Sequence, residues 1–151
     1  MKLIKFKKLT AVMISVVCLF TFSQSAFAND GIADSQQTAL AFCPGCSAYL
    51  YMEKINSPGD VEWYVFHNTS STWRGATVYL YQASSALNYD LWGMISHNNT
   101  NYPMFYATDN GPGLADALYA DVPPGGSLYV MVKGRSYSDY SSVSPYTIKI
   151  Q

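Results

Sequence analysis

The chain has 151 residues, a formal net charge of −1, three cysteines and a composition that is 49% hydrophobic, but these totals join two unlike parts. Residues 1–28 hold four of the nine basic side chains (Lys2, Lys5, Lys7, Lys8), and the remaining 123 residues carry five basic against ten acidic groups, a net charge of −5. That length suits one domain with a sizeable core and is too short for two. An acidic, lysine-poor surface argues against nucleic acid or an anionic membrane as partner, because both demand clustered positive charge.

Residues 1–8 form a positive leader, residues 9–22 an apolar run, and Ala26-Phe27-Ala28 a small-x-small pattern. This is the plan of a secretory signal peptide with cleavage after Ala28. The apolar run is shorter than the roughly 20 residues of a membrane-spanning helix. A lipoprotein would use Cys18, but Val17 stands where a small residue is usual. The expectation is a signal peptide over 1–28 and a single mature domain over 29–151. The protein is then secreted, extracellular or associated with the cell surface, with no membrane contact after cleavage.

Two cysteines remain, in Phe42-Cys43-Pro44-Gly45-Cys46. A redox-active pair would need a helix starting at the first cysteine, and no helical periodicity follows Cys46. A zinc site would need two more ligands, and His67 and His97 stand at no recognised spacing. A disulfide between Cys43 and Cys46, closing a small ring over a Pro-Gly turn, is the reading that fits an exported chain. So short a loop removes little unfolded-chain entropy and gives local rigidity instead.

Period-2 patterns dominate the rest of the chain, with no amphipathic helix. Strands are predicted over 47–52, 61–67, 76–82, 88–95, 115–122, 127–133 and 145–150, with a short one over 102–108 weakened by Pro103. Residues 57–60, 69–75, 96–101, 109–113, 123–126 and 134–144 read as turns and loops, rich in Gly, Pro, Asn, Asp or Ser. Seven to nine short strands in about 120 residues spell an all-β sandwich or jelly roll.

Four strands carry motifs in a fixed order. Asp60-Val61-Glu62-Trp63-Tyr64-Val65-Phe66, after a Pro-Gly turn, resembles the G-D-x-D-x-Y-x-F strand of bacterial pre-peptidase C-terminal domains. Asn88-Tyr89-Asp90-Leu91-Trp92 resembles their D-L-D-L-x-L strand, with the doubled aspartate reduced to Asp90. Pro124-Gly125-Gly126-Ser127-Leu128-Tyr129-Val130-Met131-Val132 is similar to G-x-Y-Y-V-x-V, and Ser144-Pro145-Tyr146-Thr147-Ile148-Lys149-Ile150 to the closing Y-x-L-x-V. The resemblance covers residues 34–151. It implies a non-catalytic β-sandwich, similar in fold to the collagen-binding modules of clostridial collagenases, here as a stand-alone secreted domain.

No Gly-x-Ser-x-Gly elbow, His-Glu-x-x-His motif, phosphate loop or dinucleotide fingerprint is present. Asp109 with Asp116 is the one loop-proximal carboxylate pair to weigh for glycosidase chemistry, and solvated acids account for it as well. The expectation is therefore no enzyme and no required cofactor. Calcium is the one candidate ion: Asp60 and Glu62, with a carboxylate from residues 30–34, would supply oxygen ligands, although turn-capping explains Asp60 equally.

Aromatics are the informative excess, since all thirteen tyrosines and all three tryptophans lie beyond residue 28. If Val78, Leu80 and Leu91 point inward, strand alternation sends Tyr79, Tyr81 and Trp92 outward. Burial of Leu128, Val130 and Val132 likewise exposes Tyr129. Tyr79, Tyr81 and Trp92 are expected to share one sheet surface, through a hairpin-length connection after Gln82. Three functions compete: a secreted module binding an extracellular protein or polysaccharide through Tyr79, Tyr81, Trp92 and Tyr129, an accessory domain aiding secretion or stability of a partner enzyme, and a small secreted thiol oxidoreductase or hydrolase. An exposed contiguous aromatic patch marks the first, a smooth polar surface the second, and a cleft with perturbed titratable groups the third.

Overall fold

Alternation of apolar and polar residues, read strand by strand, builds two sheets with one shared interior. The computed structural model describes residues 33–42 and 49–151. Residues 1–32 and 43–48, which include Cys43 and Cys46, lie outside the described residues, and with them the signal-peptide and disulfide expectations. The strands are β1 (Leu40–Ala41), β2 (Tyr49–Glu53), β3 (Val61–His67), β4 (Arg74–Gln82), β5 (Tyr89–His97), β6 (Thr100–Asn101), β7 (Phe105–Tyr106), β8 (Asp116–Val122), β9 (Ser127–Gly134) and β10 (Tyr146–Ile150). A 3₁₀ turn, Gln36–Thr38, is capped by Ser35. Among the described residues no helix is long and apolar enough to cross a membrane.

The first sheet runs β1-β3-β9-β5-β6, with β7 also on β5; the second runs β2-β10-β4-β8. All pairings are antiparallel except β1 with β3. The protein is an all-β sandwich. The described residues hold ten strands, more than the expected seven to nine, because β1, β6 and β7 are two-residue pieces. The polar stretch read as loop over 96–101 is a hairpin tip. Asn98 and Asn99 both take positive φ (51° and 59°), the backbone of a two-residue turn whose twist matches its flanking strands.

β8 shows the rule most plainly, buried at every even position from Asp116 to Val122 and exposed at Ala117, Tyr119 and Asp121. Across the interior, Tyr64, Tyr89, Leu91, Leu128, Val130 and Val132 of the first sheet meet Val78, Leu80, Leu118, Val122, Tyr146 and Ile148 of the second. Gly93 falls on the inner face of β5, and a Cβ there would stand 2.8 Å from Phe105 Cζ and 2.9 Å from Leu118 Cδ1. The missing side chain is what admits the Phe105 ring.

At one end of the core the rings gather. Tyr64 stacks on Phe42 at 5.5 Å and lies 5.4 Å from Tyr51, while Tyr89 meets Tyr146 edge-on at 5.7 Å. The Tyr64 and Tyr146 hydroxyls share a hydrogen bond of 2.6 Å, and burial pushes both phenols far above their ordinary range. Each hydroxyl is thus neutral and satisfied by a residue of the opposite sheet.

Removing one partner leaves the other buried and unpaired, whereas removing both leaves two apolar rings of the same shape. Tyr146→Phe is therefore expected to cost about 1–3 kcal/mol. Adding Tyr64→Phe to it should cost little more, or recover part of the loss. Urea unfolding of the two single variants and the double variant measures the coupling, and strictly additive losses would refute the pair's role.

Candidate functional site

The strongest cluster of ionisable groups sits where the chain enters the sandwich. Glu62 lies on the inward register of β3 with Tyr64 and Phe66, opposite Val132, so alternation drives a carboxylate toward the interior at the sandwich's end. Asp60 closes the turn before β3. Its Oδ2 accepts a hydrogen bond from Asn56 N at 2.7 Å, and its own N–H donates to Ser57 O at 3.2 Å. The leading segment docks by two bonds: Ala33 N donates to Glu62 Oε2 at 3.2 Å, and Trp63 N donates to Ala33 O at 2.8 Å. This brings the Asp34 carboxylate in, so that oxygens of Asp34, Asp60 and Glu62 all lie within 4.8 Å of one another.

Asp60 and Glu62 are only 1% and 2% exposed. Burial, then the neighbouring charges of Asp60 and Asp34, raise the Glu62 pKa to about 7, against a smaller lowering by the Ala33 N–H. Asp60 Oδ1 is buried and accepts no hydrogen bond. Turn-capping thus uses one oxygen of Asp60 and leaves the other without a hydrogen bond. An all-oxygen donor set of this charge fits a hard divalent cation such as calcium, whose remaining ligands would come from carbonyls and water.

The aromatic residues singled out by alternation do point away from the core, but they do not share a surface. Tyr79 and Tyr81 lie on β4 in the second sheet and Trp92 on β5 in the first, on opposite sides of the molecule. The expectation of one patch joining Tyr79, Tyr81 and Trp92 is corrected accordingly. The connection after Gln82 is an arch between sheets, because β4 and β5 present matching apolar faces that stack rather than two edges that pair.

On the outer face of the second sheet, Tyr79 and Tyr81 stack along the strand at 6.1 Å and 20°. Tyr81 shares a cross-strand row with Thr147 and Met52. Tyr119 lies opposite Thr77, its ring over Gly75, where a Cβ would come within 2.9 Å of the hydroxyl. The Tyr119 hydroxyl donates to Asp121 at 2.5 Å. Met52, Tyr81 and Tyr119 are 62%, 43% and 61% exposed.

On the outer face of the first sheet, register lines up Trp63, Met131, Trp92 and Tyr106 in one row. Trp92 packs 5.4 Å from Tyr106, with Lys133 Nζ 4.9 Å over its ring. Tyr129 lies one row further, between Val65 and Met94. Val65 and Met94 are buried although they point outward. The 3₁₀ turn accounts for this: Gln36 and Asn101, from opposite edges, exchange amide hydrogen bonds of 3.5 and 3.2 Å, which carries the turn over that row. Tyr129 is half-buried beneath it.

The groups weighed for catalysis are engaged elsewhere. His67 Nδ1 pairs with Ser127 Oγ at 2.8 Å at an exposed strand end, and among the described residues no carboxylate bonds the imidazole. Asp109 is held by Arg135 at 2.6 Å. Asp116, whose pKa burial raises, accepts from Asn110 N at 3.0 Å.

No protein-family model matches the chain, and no curated protein matches it in sequence. Among solved structures it is similar to the pre-peptidase C-terminal domain of a collagenase from Bacillus anthracis, with a TM-score of 0.54 and 11% identity over 75% of this chain and 94% of that domain. A weaker likeness is to the surface-associated copper-binding protein CorA of Methylomicrobium album BG8, with a TM-score of 0.42 and 10% identity over 75% of this chain and 96% of that one. The four ordered strand motifs and the first of these structures agree: the chain has the fold of a bacterial pre-peptidase C-terminal domain.

Proposed function

We propose that the protein is a secreted, non-catalytic module that binds an extracellular protein or polysaccharide through the outer face of the β2-β10-β4-β8 sheet. The observation that carries this reading is the exposed group of Met52, Tyr81 and Tyr119, with the half-buried Tyr79 stacked on Tyr81. These rings are rigid, present an apolar body with a polar tip, and contribute contact area at low entropy cost. Trp92 and Tyr129, on the other sheet, stand outside this surface.

The module's leading edge is held by the acid cluster, and we further propose that Asp34, Asp60 and Glu62 bind calcium there. A bound divalent ion would supply the positive charge that these three carboxylates lack. The chain's own contribution is to fix the entering segment against β3 through Ala33.

For the face, the Tyr79→Ala/Tyr81→Ala double variant is expected to lose about 2 kcal/mol or more of affinity, the range of hot-spot aromatics, with little change in unfolding midpoint. Retention on insoluble collagen, chitin, cellulose and cell wall identifies the polymer and measures the loss. Retention on none, or undiminished retention of the variant, would overturn the assignment.

For the acids, the sign follows from Glu62. A folded-state pKa of about 7 against an ordinary 4.5 means that the folded state holds the proton more tightly. Its contribution is complete below about pH 4.5 and is lost as pH rises through 7, by up to about 3 kcal/mol. In chelator, the thermal midpoint should fall between pH 5 and pH 8, and Glu62→Gln should flatten the profile. Calcium should raise the midpoint at pH 8 and barely at pH 5; no calcium effect at pH 8 would refute the site.

A further inference from the structure

A concave site lies on the other sheet, and nothing in the binding face just described uses it. It is a cleft of about 360 Å³, within the roughly 300–1,000 Å³ of small-molecule sites. One wall is aromatic, formed by Trp92 and Tyr106 at 5.4 Å; the other is polar, formed by Asp90, Asp109 and Arg135. Tyr106 is 73% exposed, so its ring is open to an incoming partner.

The polar wall is fixed before any ligand arrives. Arg135 Nη1 bonds Asp109 Oδ2 at 2.6 Å and Asp90 Oδ1 at 3.3 Å. Its backbone N–H donates to Asn88 O at 3.0 Å. Asp109 also accepts from Gly111 N at 2.8 Å and from Asn88 Nδ2 at 3.2 and 3.5 Å. Arg135 remains half exposed, leaving guanidinium donors for a ligand. Two polar atoms beside this network, Asn88 Oδ1 and Trp92 Nε1, are buried without a hydrogen-bond partner.

The charges decide what kind of ligand fits. Asp90 and Asp109 are matched by Arg135 and by Lys133, whose Nζ stands 4.9 Å over the Trp92 ring. The groups on the wall, with Lys133, are two acids and two bases, and buried Asp116, within electrostatic reach of Asp90, Asp109 and Arg135, is not among the lining residues, so the wall presents no strong excess of either charge. The cleft has instead paired donors and acceptors on one side and an aromatic platform on the other. A pyranose ring has the matching surfaces, with a C–H face to stack and neighbouring hydroxyls that both donate and accept. We infer that the Trp92–Tyr106 cleft is a binding site for a neutral sugar unit of an extracellular glycan. This extends the binding-module reading to a separate surface and stands or falls apart from the Tyr79–Tyr81 face.

The test titrates the purified protein with neutral hexasaccharides of glucose, N-acetylglucosamine, mannose and galactose, followed by tryptophan fluorescence and calorimetry. At least one should bind saturably, with an affinity insensitive to added salt. Tyr106→Ala, at an exposed position that leaves the unfolding midpoint unchanged, should weaken that binding at least about tenfold. Arg135→Met should weaken it as well, and Tyr79→Ala/Tyr81→Ala should leave it intact. Saturable binding of none of the four would overturn the inference, as would full affinity in Tyr106→Ala. So would a salt-sensitive, Tyr106-dependent preference for an oligolysine peptide, which would make the cleft a cation site. Loss of hexasaccharide binding in the Tyr79/Tyr81 variant would place the sugar on the other sheet.

Discussion

The two sheets are joined through the hydroxyls of Tyr64 and Tyr146, which meet at 2.6 Å inside a mainly apolar core. A buried phenol without a partner would carry the full cost of its lost hydration, so the pair favours the packing that brings β3 and β10 face to face across the interior. Phe42, Tyr51 and Tyr89 pack around it, and Tyr51 ties back to β1 by donating to Ala41 O at 2.9 Å. The alternation of β3 that faces Tyr64 inward also faces Glu62 inward, two residues earlier. One register therefore produces both the aromatic joint and the buried carboxylate beside it.

That carboxylate shapes the end of the sandwich. The leading segment donates Ala33 N to Glu62 and accepts from Trp63 N through Ala33 O, so the chain enters beside β3 with Asp34 close to the other acids. From there it turns over the outer face of the first sheet to Asn101 before pairing as β1. The route covers Val65, Met94 and part of Tyr129, leaving that sheet open mainly toward Trp92 and Tyr106. The outer face of the second sheet has no such cover among the described residues, and Tyr81 and Tyr119 stay exposed on it. The two faces thus have different characters for one structural reason.

Much of this was legible in the chain. Composition and turn residues spelled a single all-β domain. The strand over 61–67 coincides with β3, and the others differ from the observed bounds by one or two residues, apart from the short stretch over 102–108, of which only Phe105–Tyr106 is strand. The inward set of Val78, Leu80, Leu91, Leu128, Val130 and Val132 follows from the two-residue period, because a half-buried strand has only two faces to offer. Glu62 was singled out only as an oxygen ligand for calcium, and its inward placement with Tyr64 comes from the observed register of β3.

What alternation could not decide was which strands are neighbours. A six-residue link after Gln82 serves a hairpin or an arch equally well, and the choice rests on whether β4 and β5 gain more by pairing edges or by stacking apolar faces. That is a property of the assembled core, and it put Tyr79 and Tyr81 on one side and Trp92 on the other. The cleft beside Trp92 was out of reach for the same reason. Asp90, Asp109 and Arg135 come from three separate segments, and only the closed sandwich brings their charges together. Sequence by itself determined the elements and their inner faces, since these depend on local period; tertiary structure alone decided the surfaces, since these depend on contacts between residues far apart in the chain.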